Sequence, residues 1–545
     1  MGACRRAHRL AAPDIDGGTD MNRTHDYDVI VVGSGLGGLS AAALLAHSGE
    51  HVLVCEQSEG IGGVAHAFVR GDYVFDPAVH GTSAGEIVWN FLEYLGVDAD
   101  VPYVESPHVY GAVFPDGLNL VAPTGWEPFT EANAALLSPG EAAELRGFLD
   151  VCRTTLDEMA WLPYRIDPRE LADLMAARPM FSRYRMATVG DVFADHVPSP
   201  RVRALAGAAW PFIGSPPSRL SFLNFIQMLD THLEGPRYPL GSYQRMVDAF
   251  ASVVRTSGGT ILAGTPVAAI TTEDGRATGI RTEAGAEITA RVVISNADVR
   301  HTMHDLVGDG NVPDPYLKRL NRMKPSLSVL TVFAATDIDL AELGIAHETF
   351  VHPHIDHDDN WHDVLAGRPA SAWMSNTTLL DPSLAPAGEH LAILNVMAPW
   401  RLDRPWSELK EEAGDALVRL FDAVIPEFSG RLTYREVGTP ETMHRFTRAY
   451  QGATYGWENT PNQFANKRLA QTTPIDGLYL SGHWTESGCS SFRAVSSGFT
   501  VSKLVLAELG NEVGTTLPRS FRDRTGPVRP YPRATSVAQP QGARP

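Results

Sequence analysis

Six residues near the start of the chain are spaced for work on a pyrophosphate: Gly33-Ser34-Gly35-Leu36-Gly37-Gly38. Gly33 permits a tight turn, Gly35 lets the backbone approach the phosphates, and Gly38 lets a helix pack close to a strand. Glu56 follows 23 residues after Gly33, about where a carboxylate meets the ribose hydroxyls of a dinucleotide. Gln57 is beside it. A second glycine group, Gly60-Ile61-Gly62-Gly63 with Val64 behind it, brings another bare backbone segment toward the same ligand.

These groups need a strand, a turn, a helix and a second strand to hold them. Tyr27–Val32 is a short β-branched apolar run and reads as a buried parallel strand. Leu39 to His47 is rich in Ala and Leu and reads as a helix ending near Gly49. Its N-terminus offers unpaired N–H groups and the positive end of a dipole to phosphate. His51 to Cys55 is the second strand, and it ends in Glu56. A plain glycine-rich turn does not account for an acid in that register, so the unit reads as a dinucleotide site. The glycine pair after the acid points to FAD. No second strand–GxGxxG–helix unit occurs in the 545 residues, so a resident nicotinamide domain is not expected. Electrons must then pass to or from an external partner, such as oxygen or a quinone.

The length requires more than one core. With 45 Lys and Arg against 64 Asp and Glu, the net charge is −19. Such a balance excludes a nucleic-acid partner and a polybasic anchor, while a local apolar contact with a membrane surface stays open. The four cysteines are far apart with no CxxC pair, so neither a disulfide framework nor a structural zinc site is expected, and a cytoplasmic location is. No apolar run approaches the ~18 residues of a membrane span. Residues 1–25 read as a disordered leader, and the Pro- and Arg-rich stretch 518–545 as a disordered tail.

Gly62-Gly63-Val64-Ala65-His66-Ala67-Phe68, then Tyr73-Val74-Phe75-Asp76 and His80, resemble the flavoenzymes that include phytoene desaturases, carotenoid isomerases and retinol saturases. The resemblance continues through Tyr238-Pro239-Leu240-Gly241-Ser242, Thr265-Pro266-Val267, Val292 to Asp298, and Thr473 to Thr485, covering roughly residues 26 to 508. It implies an α/β fold: a Rossmann-type, glutathione-reductase-like FAD domain of the amine-oxidase and phytoene-desaturase superfamily, interleaved with an α+β substrate domain. The FAD domain would take 26–95, 236–310 and 455–508, and the substrate domain 96–235 and 311–454. The resemblance also implies that the Val267 backbone touches adenine, and that Gly482 and His483 lie against the ribityl chain and flavin ring.

The activity so implied is FAD-dependent desaturation, or redox-dependent isomerisation or saturation, of an apolar unsaturated substrate such as a carotenoid or other polyene. Alternatives are a tailoring oxidase of a secondary metabolite, an amine oxidase using Lys324, and a flavin-binding scaffold without turnover. No acid–base machinery emerges from spacing; His483 and Glu486 are the candidates. Cys489 reads as a packed thiol. His66 and His80 are expected to shape the cofactor loop. Arg201 to Leu229 is an apolar helical core or the wall of a substrate tunnel, and Ser326 to Ala334 a strand above the flavin. The histidines at 352, 354, 357 and 362 read as a polar surface loop, and no metal site is expected.

Overall fold

A computed structural model describes residues 24–160, 169 and 171–511. The expected leader, apart from its last two residues, and the expected tail lie outside the described residues. In chain order the first elements that frame the site are β1 (Tyr27–Val32), α1 (Leu36–His47), β2 (Val52–Cys55), β3 (His108–Val113) and β4 (Asn119–Pro123). Next come α2 (Phe222–Leu233), α3 (Gln244–Thr256), β5 (Thr260–Leu262), β6 (Val267–Glu273), β7 (Arg276–Thr282) and β8 (Glu287–Ser295). The remainder are β9 (Ser328–Thr336), β10 (Glu348–Val351), β11 (Ala372–Ser375), β12 (His390–Ala398), β13 (Leu432–Gly438), β14 (Leu478–Leu480) and α4 (Ser491–Leu509).

The first sheet has the order β6-β7-β8-β1-β2-β5, with β14 also paired to β8. β1 lies parallel to both β2 and β8, with Val31 opposite Val54 on one side and Ile294 on the other. Both faces are covered, which is why these strands read as unbroken apolar runs. Val29 and Val31 pack under α1, α3 and α4. Ile30 and Val32 face the opposite layer, with Ile270, Ile280 and Met303. β8 joins two architectures: its first residues pair antiparallel with β7, and its last pair parallel with β1 and β14.

The second sheet has the order β13-β9-β12-β11-β10-β3-β4 and is antiparallel except where β10 meets β3. The strand expected from residue 326 is β9, paired with β12 along its whole length. The apolar stretch after Arg201 folds as a helix at Pro200–Gly207, a turn at Trp210–Ile213, and α2. Much of it is core, including Trp210, Phe222 and Phe225.

One expectation is corrected. The histidine-rich segment is not a surface loop throughout: His352 and His357 are buried. His352 stacks on Phe114 with ring centroids 4.5 Å apart, and His357 places Nε2 3.0 Å from the Ala204 carbonyl. On the helix His357–Leu365, His357, Asn360, Trp361 and Val364 pack inward, whereas Asp359 and His362 are exposed, and His354 before it is half-buried. Among the described residues, no group of three or more His, Cys, Asp or Glu is placed to hold a metal.

Candidate functional site

The glycine loop joins β1 to α1, and Gly33 adopts φ +94°, a conformation that side chains resist. At Gly38 a Cβ would lie 2.2 Å from the Gly33 carbonyl oxygen, so only glycine fits. Gly35 caps α1 without a side-chain hydrogen bond, which leaves the helix N-terminus open to an anion. Asn296, just beyond β8, accepts from the Gly38 N–H at 2.5 Å. Gly37 rests on Gly482, where a Cβ would come within 3.0 Å of the Gly482 Cα. The Ser481 hydroxyl donates to the Gly37 carbonyl at 2.9 Å.

Glu56 is buried at the end of β2. One carboxylate oxygen accepts from the Ser34 N–H at 2.9 Å and the Ser34 hydroxyl at 2.6 Å, and the other from the Ser58 N–H at 3.0 Å. A carboxylate has about four acceptor positions, so room remains for a hydroxyl. The Gly62 N–H donates to Ser34 Oγ at 3.0 Å, tying the second glycine group to the first.

A continuous cavity of about 350 Å³ runs from this loop into the second sheet. Its wall includes Gly33, Gly35, Gly37, Glu56 and Gln57 from the first segment, and Gly62, Gly63 and Val64 from the second. Val267, Gly482 and His483 complete the sequence-derived set on the wall. Ser34 and Gly38 stand behind it, and Glu486 is not part of it. The donor set suits FAD: an open helix end for two phosphates, a carboxylate for a ribose, and bare glycine backbone. His483 adds a buried ring nitrogen, Nε2, with no partner among the described residues. Burial and the neighbouring Arg468 pull this imidazole down to about 4. It is neutral at pH 7 and suited to hydrogen bonding, not to donating protons.

The far end of the cavity holds acid–base residues that sequence spacing did not reveal. Glu348 opens β10, is 8% exposed, and lines the wall beside His80 and His347. Burial pushes its carboxyl up to about 8. The network polarity agrees. His80 Nε2 lies 3.0 Å from the Asp76 carbonyl, so it carries the proton and Nδ1 is an acceptor; burial holds the ring neutral, at about 3. Ser375 Oγ lies 2.9 Å from both His80 Nδ1 and Glu348 Oε2. One hydroxyl has one proton. Given to Nδ1, it requires the Glu348 carboxyl to supply the other. His347 places Nδ1 2.8 Å from the Asn376 carbonyl and Nε2 2.7 Å from the His80 carbonyl, which favours an imidazolium, whereas burial favours the neutral ring. Its Nε2 is 3.7 Å from Glu348 Oε1. In either arrangement the pair holds one proton at neutral pH.

Asp76 braces this corner. It accepts from the Tyr238 hydroxyl at 2.5 Å and the Tyr243 N–H at 3.0 Å, and burial, opposed by those bonds, raises it to about 7. The two motifs Tyr73–Asp76 and Tyr238–Ser242 thus meet at one carboxyl. The same wall carries the apolar side chains of Val109, Phe212, Ile213, Met228 and Trp373, interspersed with polar ones such as Asn224 and Thr231. No lysine lines the cavity, and Lys324 is exposed. Cys489 does line it, and burial raises its thiol to about 11.

A sequence profile for flavin-containing amine oxidoreductases matches residues 36–506. The chain is 28% identical over 518 residues to prolycopene isomerase 1, chloroplastic, from an Oncidium hybrid cultivar, covering 90% of this chain and 86% of that one. It is 24% identical over 535 residues to the all-trans-retinol 13,14-reductase of Danio rerio, covering 88% and 86%. In fold it resembles an oxidoreductase from Methanosarcina mazei, with TM-score 0.64 and 16% identity over 87% of this chain and 99% of that one. The chain belongs to the flavin-containing amine oxidoreductase family, and it is an FAD-dependent oxidoreductase.

Proposed function

We propose that the enzyme acts on an extended apolar polyene, with Glu348 managing the proton that accompanies the redox step. The observation that carries this reading is the shared cavity: its wall joins a glycine-lined cofactor cradle to a buried carboxylic acid and to the apolar side chains of Phe212, Ile213, Met228 and Trp373. Names of relatives support it, since they act on prolycopene and all-trans-retinol. When bound, FAD supplies hydride transfer to or from carbon. The helix α1 N-terminus would hold its pyrophosphate, Glu56 a ribose, the Val267 backbone the adenine, and the loop at Gly482 and His483 the ribityl chain and ring. Phe212, Met228 and Trp373 exclude water and align the chain. Glu348 gives a proton to the carbon next to the hydride acceptor, or takes one from it, and Ser375 and His80 keep the acid oriented.

A protonated acid in the resting protein suits saturation or acid-assisted isomerisation better than desaturation, which would begin with a base. Amine oxidation has no support, because Lys324 lies away from the wall. We further infer that segments 26–95, 236–310 and 455–508 form the FAD domain and 96–235 and 311–454 the substrate domain, as the two sheets divide the strands. Oxygen or a quinone is the inferred external electron acceptor. A peripheral membrane contact would use the rim at Phe446, which is 62% exposed between Arg445 and Arg448. No helix among the described residues is long and apolar enough to cross a membrane.

The test is anaerobic incubation of holoenzyme, oxidised or reduced, with all-trans-retinol, prolycopene and phytoene. Mass spectrometry distinguishes the outcomes: gain of two hydrogens is saturation, loss is desaturation, and an unchanged mass with a new retention time is isomerisation. If all three polyenes come back unchanged while a primary amine bleaches the flavin, the polyene reading is wrong.

A further inference from the structure

Arg493 occupies the first turn of α4, two residues after its start. The place is unfavourable for a cation. The N-terminal end of a helix carries positive partial charge. A second guanidinium is close by: a Cβ on Gly488 would lie 2.9 Å from Arg493 Nη1 and 3.2 Å from Arg468 Nη1. Burial pulls both arginines down, Arg468 to about 10, and each remains charged at neutral pH.

Neither makes an ion pair among the described residues. Arg468 is bound by neutral acceptors, its Nε to the Gln463 carbonyl at 2.7 Å and its Nη2 to Asn459 Oδ1 at 2.5 Å. It ties the Trp457 and His483 loops together. Arg493 is different. Arg493 lines the cavity, and among the described residues its guanidinium makes one side-chain hydrogen bond, Nη2 to Gln227 Oε1 at 3.3 Å, out of five possible donors. The nearby His232 gives Nδ1 to the Met228 carbonyl at 2.7 Å and stacks on Phe212. Burial keeps that ring neutral, at about 4. Glu348 and His347 share one titratable proton and carry no net charge as a pair. The inner cavity therefore carries an enclosed positive charge with no counterion among the described residues, a state that a ligand of opposite charge would complete.

We propose that the cavity takes an apolar chain ending in a carboxylate, with the carboxylate held by the Arg493 fork beside Gln227. A planar guanidinium matches a carboxylate bidentately. Phe212, Ile213, Met228 and Trp373 supply the wall for the hydrocarbon. The unsaturated nature of that chain rests on the proposed function above; its anionic end does not.

The experiment uses FAD-loaded protein and two matched pairs of probes: all-trans-retinoate with all-trans-retinol, and hexadecanoate with hexadecanol. Binding is read from quenching of protein fluorescence and from perturbation of the flavin spectrum. Each acid is expected to bind about tenfold or more tightly than its alcohol. Arg493→Gln should abolish that preference while leaving FAD content and the flavin spectrum unchanged. Arg493→Lys, which keeps the charge and loses the fork, should retain part of it. Equal binding of acid and alcohol by the wild type in both pairs overturns the proposal. So does an Arg493→Gln protein that keeps the preference but loses FAD or shifts its spectrum, because the guanidinium then serves the cofactor. Preference for hexadecanoate with no binding of either retinoid upholds the anion site and removes the polyene. If retinol and retinoate bind alike, and hexadecanoate no better than hexadecanol, the polyene stands and the carboxylate falls.

Discussion

Replacing Glu348 with glutamine tests the acid directly, through stability as well as chemistry. Glutamine has the shape of the protonated acid and can donate to Ser375 in its place. Burial raises the wild-type carboxyl from 4.5 to about 8. Its contribution is fully present below pH 4.5 and is lost as pH rises toward about 8, because the unfolded chain releases a proton that the folded chain keeps. Each pH unit in that window removes a little over ~1 kcal/mol, so between about pH 5.5 and about pH 7.5 the wild type should lose on the order of 3 kcal/mol that Glu348→Gln does not. Asp76 and His80 titrate in both proteins and cancel in the difference. Urea unfolding followed by tryptophan fluorescence at the two pH values measures it. Parallel behaviour of the two proteins would show that Glu348 is ionised in the fold, and the proton assignment through Ser375 and His80 would fail. Turnover on the polyene should fall about a hundredfold or more in the variant, the usual contribution of a positioned acid.

Other outcomes follow from the same geometry. Gly38→Ala drives a methyl into the Gly33 carbonyl, so the purified protein should carry little flavin, read from its visible-to-ultraviolet absorbance ratio. Asp76→Ala leaves a buried tyrosine hydroxyl and a buried N–H without their acceptor; the cost should be about 2 kcal/mol or more, seen as a lowered melting temperature, and Asp76→Asn should recover part of it. Acid precipitation should release FAD from wild type and from Cys489→Ser alike, since the Cys489 thiol is raised to about 11 and stays protonated; flavin retained only by the wild type would reveal a covalent link. Lys324→Met should leave turnover unchanged, because that side chain is exposed and off the cavity wall.

The βαβ unit was legible because its determinants are local. The glycines, the helix and Glu56 occupy one short stretch, and their spacing is dictated by backbone geometry. Asn296 was harder. It stands at the end of an apolar strand within a segment whose resemblance was plain, yet its contact with the Gly38 N–H spans 258 residues. Glu348 left no pattern at all. It sits between His347 and Thr349 at the head of a short strand, and its chemistry arises from burial against Ser375 and His80, which only tertiary packing supplies. Arg493 likewise looks like an ordinary helix residue until the cavity beside it is seen. The histidine segment misled for a related reason: proline and aspartate signal exposure, but His352 and His357 find an aromatic partner in Phe114, far away in sequence.

The meeting of Gly37 with Ser481 and Gly482 has a consequence for how the protein is made. The two halves of that contact are 444 residues apart. During synthesis the first strand, loop and helix leave the ribosome long before the segment that closes over them, so α1 must wait with its N-terminus uncovered. On the proposed cofactor site, FAD would be captured only after the segment around Ser481 has been made, as a seal over the first sheet instead of a template for it. Nascent chains stalled before Ser481 should not retain flavin, however well their first sheet has formed.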